Sequence, residues 1–157
     1  MSTRCMIAYE RDGTIRASYC HHDGNLQGVG RILLDHCPME EKVAELIDLG
    51  HLSSLGENIG PEIPVKDENG FQEKPVTVAY VRDMGRGDDF MEPEFYENKD
   101  DLYRTVHDAY HNRFGLVYLI YFYQDGQWFY CEADASERWD LLSERIATID
   151  SRRLNGK

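Results

Sequence analysis

No apolar run in this sequence approaches the roughly 18 residues that a membrane-spanning helix requires; the longest, Leu116 to Tyr123, has the length of a buried strand. The chain has only four cysteines, Cys5, Cys20, Cys37 and Cys131, widely scattered and without a CxxC pair. Neither a disulfide framework nor a zinc ribbon is indicated, and the four read as reduced thiols. Basic residues are scarce, 17 against 29 acidic ones, for a net charge of −12. A field of that sign repels nucleic acid and anionic membrane and permits basic protein partners. The start lacks the apolar stretch of a secretory signal, because Met1-Ser2-Thr3-Arg4 runs straight into a strand-like alternation. A cytoplasmic location is therefore expected. No GxGxxG or Walker pattern is present, and nothing in the residues asks for a cofactor.

What is there suffices for one core. A length of 157 residues suits a single domain over 1–157, and ten tyrosines, six phenylalanines and two tryptophans add large apolar surface. Thr3 to Glu10 and Thr14 to Tyr19 are β-rich runs around Asp12-Gly13, the signature of a tight hairpin; Gly115 to Tyr123 and Trp128 to Glu132 repeat the pattern around Asp125-Gly126. The run before Asp125 is apolar on both faces, which predicts a central strand. Val29, Ile32, Leu33 and Leu34 predict a short helix that stops at Cys37-Pro38. A second helix starts at Pro38, with Glu40 and Glu41 in its first turn, Val43, Ala44, Leu46 and Ile47 buried, and Gly50 just past its end.

Residues 57–75 turn to Gly, Pro, Lys and Glu without periodicity and read as a mobile loop. Val76 to Val81 reads as a further strand, and Asp83 to Glu97 as acidic and irregular. Asn98 is expected to cap a helix through Ala109 and Tyr110, with Leu102, Val106, Ala109 and Tyr110 as its apolar stripe. Asp134 or Ser136 would cap a closing helix with Trp139, Leu142, Ile146 and Ile149 inward. The order ββααβαββα predicts an α+β fold, an antiparallel or mixed sheet of two hairpins and a further strand covered by helices.

Several constellations bear on chemistry. Cys20-His21-His22-Asp23 crowds ligand-type side chains at a strand end, with His36, Cys37 or His51 as further donors for a small metal-dependent enzyme. Strand alternation keeps neighbours from reaching one ion together, so no metal is assigned. His21, Asp23, Gly28 and His36 define a possible pocket, in which backbone N–H groups near Gly28, with Arg4 and Arg31, would sequester a nucleotide or other small anion. His107 and His111 echo a zinc-binding HxxxH spacing, but Asp108 replaces the glutamate base of that motif. Arg86-Gly87-Asp88 matches the cell-adhesion tripeptide at a length where chance matches are common.

The most unusual segment interleaves Asp88, Asp89, Glu92, Glu94, Glu97, Asp100 and Asp101 with Phe90, Phe95 and Tyr96. Carboxylates fixed along one face imitate phosphates, and aromatics add the contact area that charge lacks, as in a DNA mimic. The expected partner-binding set is Asp88, Asp89, Glu92, Glu94, Phe95, Glu97, Asp100 and Asp101.

Met1-Ser2-Thr3-Arg4, Tyr19-Cys20-His21, Asp23-Gly24, Val29-Gly30, Ile32-Leu33-Leu34 and His36 resemble a family of small bacteriophage and prophage proteins. The likeness continues through Lys42-Val43, Glu45-Leu46-Ile47, Leu49-Gly50 and Ser53-Ser54-Leu55-Gly56. Members often read Tyr-Cys-His-Trp-Asp-Gly-Tyr-Pro where this chain has Tyr19 to Leu26. The resemblance implies a phage origin and work in the host cytoplasm, and it brings no catalytic residues with it. The combined expectation is a non-catalytic accessory protein that engages a basic host protein, such as a defence nuclease, rather than nucleic acid or a membrane.

Overall fold

The computed structural model describes residues 3–60, 76–86, 91–112 and 117–155. The first hairpin is β1 (Cys5–Arg11) and β2 (Thr14–Cys20), followed by a π-helical turn, Leu26–Gly30, that runs into α1 (Arg31–His36). Then come α2 (Glu40–Asp48), β3 (Leu52–Ser54), β4 (Val78–Ala79), α3 (Tyr80–Met84) and β5 (Glu94–Tyr96). The chain continues with α4 (Lys99–Asn112), β6 (Leu119–Gln124), β7 (Gln127–Glu132), β8 (Asp140–Leu141) and α5 (Leu142–Asn155). This is the expected α+β class, built on one open mixed sheet of eight strands, seven of them in the order β4-β3-β2-β1-β6-β7-β8 and the eighth, β5, paired to β2. Among the described residues no helix is long and apolar enough to cross a membrane.

Both Asp-Gly pairs form the turns that their chemistry favours. Asp12 and Gly13 have φ of 53° and 77°, and Asp125 and Gly126 have 52° and 81°, the left-handed pair that matches strand twist. The two hairpins are joined by β1 lying parallel to β6, which puts both at the middle of the sheet. The outer edge of β2 is shared: β3 takes its C-terminal end in parallel, and β5 runs antiparallel along Ile15 to Ala17.

Strand alternation divides the core into two layers. Cys5, Ile7, Tyr9, Tyr121, Tyr123 and Trp128 face α1, α2 and α5, against Leu33, Val43, Leu46, Ile47, Leu142 and Ile146. Met6, Ala8, Ile15, Ala17, Ile120 and Phe122 face α4, against Leu102, Tyr103 and Val106. Fully buried side chains such as Tyr9, Tyr121, Phe122 and Ile7 each contribute about 1.5–3 kcal/mol of hydrophobic stabilisation.

On the α1/α2 side the aromatic tips are anchored as well as buried. Tyr121 Oη donates to the Gly24 carbonyl at 2.8 Å, Tyr123 Oη to that of Pro38 at 2.9 Å, and Trp128 Nε1 to that of Cys37 at 2.9 Å. Carbonyls orphaned at the π turn and between the two helices thereby find donors in the sheet.

Several boundaries differ from expectation. Val76 to Val81 is strand only at Val78–Ala79, because Asp83 Oδ2 accepts the Ala79 N–H at 2.8 Å and starts a helical turn. The stretch read as irregular, Asp83 to Glu97, contains the rest of α3 and all of β5. Pro38 lies before α2, whose N-cap is Met39. The closing helix begins at Leu142, not near Asp134 or Ser136; Asp140–Leu141 first pairs with β7, so Trp139 packs on the α4 side while Leu142 packs on the other. On α4, Tyr103 takes the place in the apolar stripe that Ala109 was expected to hold, and Ala109 is exposed. Of the proposed loop 57–75, residues 61–75 lie outside the described residues; Asn58 bridges to Val76.

Candidate functional site

β5 exists because β2 has a free edge to offer. Its ladder pairs Ile15 with Tyr96, Arg16 with Phe95 and Ala17 with Glu94. Paired residues share a face, so Glu94 and Tyr96 turn toward the α4 side and Phe95 toward the α2 side. The acidic run is thus split by the pleat rather than presented as one row. Asp88 and Asp89 lie outside the described residues.

On the α4 side the carboxylates are held by the fold. Glu94 Oε2 lies 3.3 Å from His51 Nε2, and Glu94 Oε1 accepts the Tyr96 hydroxyl at 2.9 Å. His51 Nδ1 accepts the Tyr19 backbone N–H at 3.0 Å, which fixes the ring proton on Nε2, aimed at Glu94. The hydrogen bond from His51, followed by that from Tyr96, holds the Glu94 carboxyl below the usual carboxylate value against burial, which raises it. Burial, and then the adjacent Glu94, push the Tyr96 phenol up. Asp100 pairs with Arg104 at 2.9 Å, one turn along α4. Asp101 accepts the Glu97 N–H at 3.2 Å, while its own N–H is capped by Asn98 Oδ1 at 2.8 Å. Glu92 and Glu97 are exposed and carry no ion pair among the described residues.

On the α2 side Phe95 is 63% exposed, with the Arg16 guanidinium 5.4 Å from its ring centroid. Arg16 is fixed by an ion pair to Asp48 and by donating to Tyr9 Oη at 3.1 Å. Asp48 ends the outward row of α2, which also carries Glu41 and Glu45 at helical spacing, all exposed. A shallow cavity of about 580 Å³ runs along this row between Glu40, Glu45, Asp48 and Arg11. A second, of about 300 Å³, lies where Glu10, Glu40 and Asp125 converge. This α2 row was not among the expected site residues, although the steps of four and three from Glu41 through Glu45 to Asp48 could have revealed it.

The first loop is organised by its own backbone. The Gly28 N–H is taken by Asn25 Oδ1 at 2.7 Å, the Val29 N–H by the Asp23 carbonyl at 2.8 Å and the Gly30 N–H by the Asn25 carbonyl at 3.2 Å. A Cβ at Gly28 would come within 2.2 Å of the Asp23 carbonyl oxygen, so glycine is required by close approach. Arg31, the other basic donor considered there, pairs with Asp150 at 2.6 Å. His21 Nδ1 lies 2.8 Å from Tyr19 Oη and 3.4 Å from Arg4 Nε. Burial, then His22 and Arg4, lower the His21 value, and burial pushes the Tyr19 phenol up to about 12. Asp23 is exposed at a φ of 58°, and His36 sits 3.9 Å from Glu57 at the end of α1. Among the described residues no three His, Cys, Asp or Glu side chains are placed to hold a metal ion.

His107 serves the α4 packing: its Nδ1–H donates to the Ala133 carbonyl at 2.6 Å and its ring stacks on Tyr103 at 5.2 Å. The His111 side chain lies outside the described residues. At the start of α4, Lys99 Nζ lies 4.9, 5.5 and 5.2 Å from the ring centroids of Phe122, Phe129 and Trp139 and donates to Gln124 Oε1 at 3.3 Å. This cage holds a cation where the helix dipole disfavours one.

No protein-family model, no curated protein and no solved structure matches the chain.

Proposed function

We propose that this chain is a phage-encoded accessory protein that acts by binding a basic host protein, of the nuclease or DNA-binding kind, through an acidic face. The observation that carries this reading is the arrangement around Phe95. An exposed aromatic is held rigid on a sheet edge by Arg16, and Arg16 is tied through Asp48 to the carboxylate row of α2. A helix sets Glu41 and Glu45 about 6 Å apart along its axis, a backbone spacing already in place before a cationic partner docks, so that only the side chains must order. Glu92 and Glu97 extend the negative field beyond the strand, and the net charge of −12 steers a basic partner toward it. Carboxylates in such a row stand in for phosphates, and Phe95 supplies the apolar anchor that interfaces place at their centre.

The test is capture from a host lysate by the immobilised chain, at low and at physiological salt. The expected result is retention of a basic, nucleic-acid-binding protein that weakens as salt rises and is lost in the Glu41→Lys/Glu45→Lys variant. Retention of nothing, or of a protein indifferent to those charges, would overturn the reading.

A further inference from the structure

Cys5 opens β1 and Cys20 closes β2, and the antiparallel register sets them directly opposite each other. In a two-residue hairpin the pair flanking the turn, here Arg11 and Thr14, exchanges both backbone hydrogen bonds, and such pairs recur at every second step. Cys5 and Cys20 fall on that series, where opposed Cα atoms lie about 5.5 Å apart, inside the roughly 4.4–6.8 Å that a disulfide spans. The pleat sends both side chains to the face packed by α1 and α2. Both side chains belong to the same buried cluster, and the Cys20 sulfur donates to the His22 carbonyl at 3.7 Å. The other two thiols have no such partner in the ladder, since Cys37 follows α1 and Cys131 faces the opposite side of the sheet.

We propose that Cys5 and Cys20 form a cross-strand disulfide by exchange with a small-molecule disulfide, and this inference is independent of the acidic face. One cysteine, as thiolate, attacks a sulfur of glutathione disulfide, forming a mixed disulfide and releasing one glutathione thiolate. The second cysteine loses its proton, attacks the protein-side sulfur and expels the other glutathione. Two electrons pass from the two thiols to the oxidant, and the two protons end on the two glutathiones. Both cysteines are 0% exposed, and a Cβ on Gly24 would meet that of Cys5 at 2.9 Å, so the first loop packs directly against Cys5. Burial, and then the neighbouring Cys20 thiol, hold the Cys5 thiol well above its ordinary value, so exchange in the closed fold is slow and follows opening of the strand ends.

The experiment treats the full reduced chain with glutathione disulfide in two arms, one folded and one refolding from denaturant, followed by alkylation and peptide mapping. The expected product, in either arm, is a Cys5 peptide linked to a Cys20 peptide, with Cys37 and Cys131 alkylated. Cys5→Ser and Cys20→Ser each abolish the link and stop at a mixed disulfide on the remaining cysteine. A bridge that involves Cys37 or Cys131, or the absence of any bridge in both arms, would overturn the proposal.

Discussion

His51 and Glu94 meet at 3.3 Å, imidazole Nε2 to carboxylate Oε2, and the pair ties the residue before β3 to β5. The same histidine is held at three more points. Its ring accepts the Tyr19 N–H, its own N–H donates to the Met91 carbonyl at 2.8 Å, and its carbonyl accepts the Tyr80 N–H at 3.2 Å. The edge of the sheet that carries Phe95 is therefore assembled around one buried imidazole.

Glu94 should impose an acid limit on this edge. Its folded value lies below that of the unfolded chain, so its contribution is complete above the usual carboxylate value of about 4.3 and is lost as pH falls through the folded value. The stability gap between the natural chain and Glu94→Gln is expected to close as pH drops below about 4.3. Urea unfolding at a series of pH values measures it, and a gap constant into strong acid would show that the pair has no linkage to protons.

The anchored aromatic tips predict a second set of losses. Tyr121→Phe leaves the Gly24 carbonyl without its donor and should lower unfolding free energy by about 1–3 kcal/mol, with Tyr123→Phe smaller because that ring is nearer solvent. Burial raises the Tyr121 phenol first and most, so in an absorbance titration this tyrosine ionises only with unfolding.

Lys99 gives a third. Lys99→Met keeps the stem but removes the cation from among Phe122, Phe129 and Trp139, and is expected to cost about 0.5–2 kcal/mol while shifting Trp139 fluorescence. Lys99→Arg should restore most of the loss. Equal destabilisation by both variants would show that the cage reads shape rather than charge.

At Gly50, φ is +86° and an added Cβ would lie 2.1 Å from the Met91 carbonyl oxygen. Gly50→Ala is expected to cost at least about 2 kcal/mol and to loosen residues 91–96, read as faster amide exchange there. Gly13→Ala has a similar φ of +77° but open space, and should cost only about 1–2 kcal/mol, confined to the turn.

The acidic face divides into variants that test binding and one that does not. Glu92→Lys and Glu97→Lys, both on exposed side chains, should change the unfolding free energy by no more than about 0.5 kcal/mol yet weaken partner capture and its salt dependence. Phe95→Ala should weaken capture at every salt concentration. Charge reversal at Glu94 is uninformative for binding because it also breaks the His51 contact.

The elements with local causes were legible in the sequence. Two Asp-Gly turns fixed both hairpins, Asn98 capped its helix as its side chain allows, and Gly50 followed α2 in the left-handed conformation. What escaped depends on distant partners. β5 is a three-residue strand that forms only because β2 offers an edge, and the parallel join of β1 to β6 brings together residues more than a hundred positions apart. Trp139 and Leu142 keep helical spacing, yet a strand pair at Asp140–Leu141 sends them to opposite sides of the sheet. The acidic run was visible as composition, but its division by the pleat, and the role of His51 in holding Glu94, needed the ladder register.

Tyr121, Tyr123 and Trp128 grip the backbone at Gly24, Pro38 and Cys37 from inside the sheet. Those two bends are thereby closed to engineering: a tag or a new pair of termini placed there would pull main chain away from its anchors. The open tips at Gly13 and Gly126, where nothing among the described residues lies within 4 Å of an added methyl, are the places to graft a reporter without disturbing the two hairpins.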